Sequence, residues 1–237
     1  MKIGIMQPYF FPYLGYFSLI KHVARWIVFD EVQFIRHGWI ERNRILKPGE
    51  GWQYISVPLE KHRRDTKIKD IRIRNGEDWR NKMLRQLEHY KKAPFYAPTV
   101  ELVKESISVE TECIVELNVR ILKTICRYLS VPFDYNVFSE MNLPIEPVGH
   151  AGEWALNICK SLKATEYVNP IGGKEIFDPQ QFADAKISLV FSKSNLPPYD
   201  QRRSRFEPGL SIIDVLMFND TERVNAMLDD VEYIRPL

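Results

Sequence analysis

Apolar positions along the chain change their period several times, and each change predicts an element. Ile3, Ile5 and Met6, with Gly4 between them, read as a short buried strand. Gln7-Pro8 ends it, because proline removes a ladder donor and fixes φ. An aromatic run follows, Tyr9, Phe10, Phe11, Tyr13, Tyr16 and Phe17, broken by Pro12 and Gly15. Pro12 suits the first turn of a helix, where its missing N–H costs nothing. Tyr16, Leu19 and Ile20 continue at helical spacing. The opening is therefore strand, tight turn, helix. Free N–H groups and the helix dipole make such a junction a docking place for phosphates and nucleotides. Gln7, Tyr9, Tyr13, Gly15 and Tyr16 become candidate ligand residues.

Residues 26–29 read as a second strand, ending at Asp30-Glu31. From Val28 to Leu46 polar residues fall between apolar anchors, the pattern of a loop pinned to a core. Residues 52–59 alternate weakly and read as a third strand; residues 68–73 alternate cleanly and read as a half-exposed one. Helical spacing then takes over. Trp79, Met83, Leu87 and Tyr90 form one stripe, ended by Ala93-Pro94. Further helices are expected over 99–107 and 113–129, the last with Ile114, Leu117, Ile121, Leu122, Ile125 and Leu129 inward. Residues 75–130 thus read as a helical insertion covering an α/β core. A strand over 135–138, a proline-bearing loop over 139–149, a helix over 154–162 and a strand over 164–169 follow. After the glycine turn at Gly172-Gly173, Phe177-Asp178 opens another helix, and 187–191 reads as the last strand. Strands alternating with helices predict a single α/β domain over residues 1–237 built on a parallel sheet.

Composition changes this picture little. Lys and Arg number 33 against 31 Asp and Glu, a formal charge of +2 that argues against strong non-specific nucleic-acid binding. The basic run over 61–69 reads as a solvated loop. Cys113, Cys126 and Cys159 form no CxxC or Cys/His ligand pattern, so no metal site is expected and the thiols read as reduced. Gln7, Pro8 and Pro12 interrupt the N-terminal apolar run; no signal peptide or membrane span is expected, and the predicted location is cytoplasmic. No phosphate loop, GxGxxG, HExxH or GxSxG occurs. His37 and His150 fall in predicted loops, where an imidazole can act as a base near neutral pH.

Several blocks resemble the WbqC-like protein family of bacterial surface-polysaccharide biosynthesis. They are Met6 to Phe17, Val28 to Phe34 with Gly38-Trp39 and Arg42 to Leu46, Tyr90 to Phe95, the region around Gly172-Gly173, and Pro198-Tyr199-Asp200-Gln201 with Phe206 to Leu216. A looser likeness to nucleotidylyltransferase-like (HUP-like) folds sets Tyr13-Leu14-Gly15-Tyr16 where that class carries HxGH. The resemblance implies a Rossmann-like sheet. It also implies a part in O-antigen or related glycan synthesis: a transferase passing glycine, or another aminoacyl group, to the amine of a nucleotide-linked amino sugar. In that reading Asp30 or His37 takes the amine proton, and Gln33, Asn43, Tyr13 and Tyr16 orient the reactants. Asn43 and Arg44 hold a phosphate or carboxylate. Gly15 or Gly172-Gly173 receives the diphosphate, and Tyr199 and Gln201 contribute from a loop. Whether glycine arrives with ATP and magnesium, on tRNA or on a carrier stays open. So do two alternatives: nucleotidyl transfer on a small phosphorylated substrate, and a non-catalytic nucleotide-sugar-binding protein.

Overall fold

In the computed structural model, which describes residues 1–236, two apolar faces of one sheet are each covered by helices. The chain runs β1 (Lys2–Met6), α1 (Leu14–Lys21), β2 (Arg25–Val28), β3 (Arg42–Leu46), β4 (Trp52–Ser56), α2 (Trp79–Gln86), α3 (Tyr96–Ile107) and α4 (Ile114–Tyr128). It continues through β5 (Tyr135–Val137), α5 (Ala151–Ser161), β6 (Glu166–Pro170), α6 (Pro179–Asp184), β7 (Ser188–Ser194), α7 (Ile212–Phe218), α8 (Thr221–Asp229) and β8 (Val231–Ile234).

The six-stranded sheet has the order β5-β2-β1-β6-β7-β8. All neighbours are parallel except β8, which runs antiparallel to β7 at the edge. Strand alternation divides the side chains. Ile3, Ile5, Ile27, Tyr167, Leu189 and Phe191 meet α5 and α6 on one face. Trp26, Val28, Val168 and Val190 meet α1, α4, α7 and α8 on the other. The sheet is thus doubly wound and Rossmann-like: its parallel core agrees with the alternation of strands and helices, and its Rossmann-like form with what the resemblance implies. The six apolar positions of the 113–129 stripe are all buried, against the same core as α1.

Three local expectations are corrected. Residues 42–46 form β3, which pairs with β4 in an antiparallel hairpin separate from the main sheet. Polar Arg42, Asn43 and Arg44 disguised it as loop. Residues 68–73 form no strand: Ile68–Asp70 is a 3-10 turn, and Ile71 and Ile73 reach the core through isolated bridges around them. The clean alternation reflects alternate burial without a neighbouring strand to pair with. Finally, β7 is not the last strand. Val231 to Ile234 closes the sheet edge, after a helix, α8, that the pattern reading passed over.

Candidate functional site

Strand order reverses between β1 and β6: the chain leaves β1 toward β2, and β6 returns on the other side. In doubly wound sheets ligands bind in the crevice outside the carboxyl ends at that point. Here a cleft of about 710 Å³ opens there. Gln7, Tyr9 and Tyr13 enter it from beyond β1, Phe29 from beyond β2, and Asn169, Gly172 and Gly173 from the end of β6 and the turn after it. Trp39 and Arg44 close the side formed by the hairpin, and Trp154 of α5 the opposite wall.

The aromatic turn is held in place by Asn43. Its buried Nδ2 donates to the carbonyls of Phe10 and Phe11 at 3.1 and 2.9 Å, and its Oδ1 accepts the Arg44 N–H at 2.8 Å. These bonds fix a turn in which Phe11 is left-handed, with φ of 39°. A Cβ on Gly15 would lie 2.6 Å from the Tyr13 ring, so glycine there lets that ring fold back over α1. Gly15 itself is covered. The Tyr16 hydroxyl, fully buried, donates to the Gln7 carbonyl at 2.8 Å. Of the Tyr13-Leu14-Gly15-Tyr16 segment, Tyr13 alone lines the cleft. Burial raises the pKa of Tyr9 and Tyr13, so both hydroxyls remain donors across the neutral range.

Arg44 is the one charged residue among those lining the cleft. Its guanidinium lies 5.3 Å from the Trp39 ring and 5.2 Å from the Trp52 ring, and Nη2 donates to the Gly209 carbonyl at 3.2 Å. Its buried Nε has no partner. Across the cleft Tyr167 donates to Asn169 Oδ1 at 2.9 Å, and Asn169 Nδ2 donates to the Pro170 carbonyl at 2.9 Å. Gly173 leaves room for that amide, since a Cβ there would strike Asn169 Nδ2. Gly172 faces open space. The turn Ile171–Ile176 is a 3-10 helix, whose leading N–H groups lack partners within it.

Other sequence-predicted residues lie elsewhere. Asp30 is 1% exposed, and both its oxygens are taken by Ser139: Oδ1 accepts the backbone N–H at 3.0 Å and Oδ2 the hydroxyl at 2.6 Å. It ties the end of β2 to the turn after β5. Gln33 is exposed and donates to the Arg64 carbonyl at 2.8 Å. His37, also exposed and left-handed, sits in a turn closed by Glu41, which accepts its N–H at 3.0 Å. His150 caps α5, accepting the Gly152 N–H at 3.2 Å. Tyr199 and Gln201 donate to Asp214 Oδ1 at 2.5 and 2.9 Å, while Tyr90 donates to Oδ2 at 2.6 Å, in a buried network away from the cleft. Sequence reading passed over Phe29, Trp154, Tyr167, Asn169 and Phe177 as cleft residues. Asn169, at the end of a predicted strand beside Pro170, carried the most usable signal.

What remains facing the cleft is aromatic surface, neutral hydrogen-bond donors and one cation. No Asp, Glu, His or Cys is among the lining residues described. No group of three such residues is arranged to hold a metal among the described residues. A phosphate fits this donor set. A magnesium ion does not, for want of a carboxylate ligand.

Fold and cleft together define a Rossmann-like protein with a ligand crevice at the sheet's switch point. The chain matches the model of the WbqC-like protein family over residues 7–226, and belongs to that family. It is 32% identical over 228 residues to "Uncharacterized protein Rv1507c" of Mycobacterium tuberculosis, covering 92% of this chain and 93% of that protein. No solved structure matches it. Membership supports a role related to surface-polysaccharide biosynthesis.

Proposed function

We propose that the protein is a transferase that binds a nucleotide-linked amino sugar in this cleft and passes an aminoacyl group, glycine foremost, to its amine. One observation carries the reading: aromatic walls, one cation and the glycine-bearing 171–176 turn converge at the switch point, while the Asp and Glu carboxylates of the described residues stay outside. Aromatic faces suit a base or sugar ring. Arg44 and the leading N–H groups of the 171–176 turn suit a diphosphate.

The chemistry needs a neutral amine. An ammonium loses favour when removed from water, so burying the substrate's amine against the aromatic walls would lower its pKa without a dedicated base. The amine nitrogen attacks the activated carboxyl carbon, the N–C bond forms, and the bond to the leaving group breaks. The amine proton leaves with that group or to solvent. Tyr9 and Tyr13 supply O–H donors to the oxyanion that develops. Asp30, His37, Gln33, Tyr199 and Gln201 have no step here, because none lines the cleft. Nucleotidyl transfer is the weaker reading: Gly15 is covered, and the Tyr16 hydroxyl is committed to Gln7.

Mass spectrometry of UDP- and dTDP-amino sugars incubated with the protein, glycine, ATP and a tRNA fraction tests the proposal. The expected result is a gain of one glycyl unit. Tyr13→Phe should lower kcat by about tenfold or more, and Arg44→Ala should raise KM. Sugars that bind but never change mass under any donor would reduce the protein to a binding module.

A further inference from the structure

Seven large apolar side chains are exposed on the described surface: Met1, Tyr233 and five others. Three of the five line the cleft, and the other two belong to segments beside it. Trp39 (36% exposed), Ile176 (49%) and Leu196 (40%) line it from three separate loops. Trp52 (37%) shares the Arg44 guanidinium with Trp39. Ile35, at 65% the most exposed, sits in the Trp39 turn, where its carbonyl accepts the Gly38 N–H at 3.1 Å. Such clustering is unusual for surface left to water.

Cations flank this rim. The 61–67 loop is bound to the Ile35 segment, with Phe34 N–H donating to the Thr66 carbonyl at 2.9 Å and Gln33 to the Arg64 carbonyl at 2.8 Å. Arg63 and Lys67 have acidic partners, Asp65 and Glu31. Arg36, Lys61 and Arg64 are exposed and make no ion pair among the described residues. Glu41 is the acid of the 35–41 segment and is engaged by the His37 N–H, while Glu175 beside Ile176 and Glu60 beside Lys61 are exposed acids within a larger set of cations.

We propose that this face docks on an anionic bilayer surface, with the apolar rim at the headgroup boundary, Arg36, Lys61 and Arg64 against lipid phosphates, and the cleft opening toward the membrane. Tryptophan beside aliphatic side chains, edged by unpaired cations, is the chemistry of interfacial attachment. Among the described residues no helix is long and apolar enough to cross a membrane, and the attachment proposed is to its surface. Ile35, Ile176 and Leu196 are aliphatic, so only Trp39 and Trp52 of the five offer a base a ring to stack on. A twofold self-contact through this face would bring its own unpaired cations together.

Co-sedimentation with phosphatidylglycerol/phosphatidylcholine vesicles, against phosphatidylcholine alone, tests it. Binding to the anionic vesicles is expected, weakening with salt. Ile35→Ser and the double variant Arg36→Glu/Arg64→Glu should each lower partitioning by on the order of tenfold. Neither touches the cleft, so the thermal shift with a nucleotide sugar should persist in both, which separates failure here from failure of the transferase reading. Absence of vesicle binding, or variants that partition like the wild type, overturns the proposal. So does a concentration-dependent dimer that Ile35→Ser dissolves, or retention of tRNA in place of vesicles.

Discussion

Asp30 and Asp214 are both buried carboxylates without a cationic partner in bonding distance, and both are held by neutral donors. Asp30→Ala would leave the Ser139 N–H and hydroxyl without their acceptor. A loss of about 2–3 kcal/mol in chemical denaturation is expected, whereas a base in the reaction would instead lose activity with stability kept. Asp214 makes a prediction in pH. Burial raises its pKa, against the hydrogen bonds from Tyr199, Tyr90 and Gln201 that lower it. A carboxyl raised in the folded state contributes most below its unfolded pKa, and that contribution is lost as pH rises through the folded pKa. The stability advantage of wild type over Asp214→Asn should therefore grow from about pH 7 toward about pH 4. An advantage that shrank on acidification would contradict this sign. Sequence alone made Asp30, at a strand end, and Tyr199 and Gln201, in a loop, look available to ligand. Nothing in one dimension revealed that Ser139 and Asp214 would occupy them.

At the scale of elements the cleft depends on how closely α5 approaches the 171–176 turn. A Cβ on Gly152 would strike the backbone carbonyl of Ile176, which cannot swing aside as a side chain can. Gly152→Ala should cost about 1–3 kcal/mol and weaken ligand binding, because Ala151 and Ile176 line opposite parts of one wall. The two glycines of the turn differ. Gly173→Ala displaces the Asn169 amide, while Gly172→Ala meets nothing within 4 Å. Titration of a nucleotide sugar should show a several-fold loss for the first and little change for the second; equal effects would mean that Asn169 does not shape the site. Helices with a continuous stripe, α2 and α4 above all, were readable because burial on one side imposes the 3.6-residue period. Strand β4 was readable too, but β3 was not, since its inward positions alternate with Arg42 and Arg44, whose charged ends reach Tyr54 and the cleft.

For the whole molecule, the cleft is lined by parts that lie far apart in the chain, the turn after β1, the hairpin, α5 and the turn after β6, so a ligand bound there would clamp them together. A nucleotide-linked amino sugar at ~100 times its Kd should stabilise the fold by about 2.7 kcal/mol, raising Tm by roughly 5–10 °C. Free nucleotide should give a smaller shift, because it leaves part of the aromatic wall uncovered. No shift with any nucleotide sugar would remove the ground for the transferase reading. Periodicity was enough to predict an α/β domain on a parallel sheet, its central strands and most of its helices, because burial acts on each element locally; the Rossmann-like form was implied by the family resemblance. The strand order, which puts β1 beside β6, and the fates of Tyr13 and Tyr16, three residues apart but one lining the cleft and one sealed against Gln7, came only with the packed chain. A side chain's availability is set by neighbours that arrive from distant segments, and no local pattern encodes which of them will arrive.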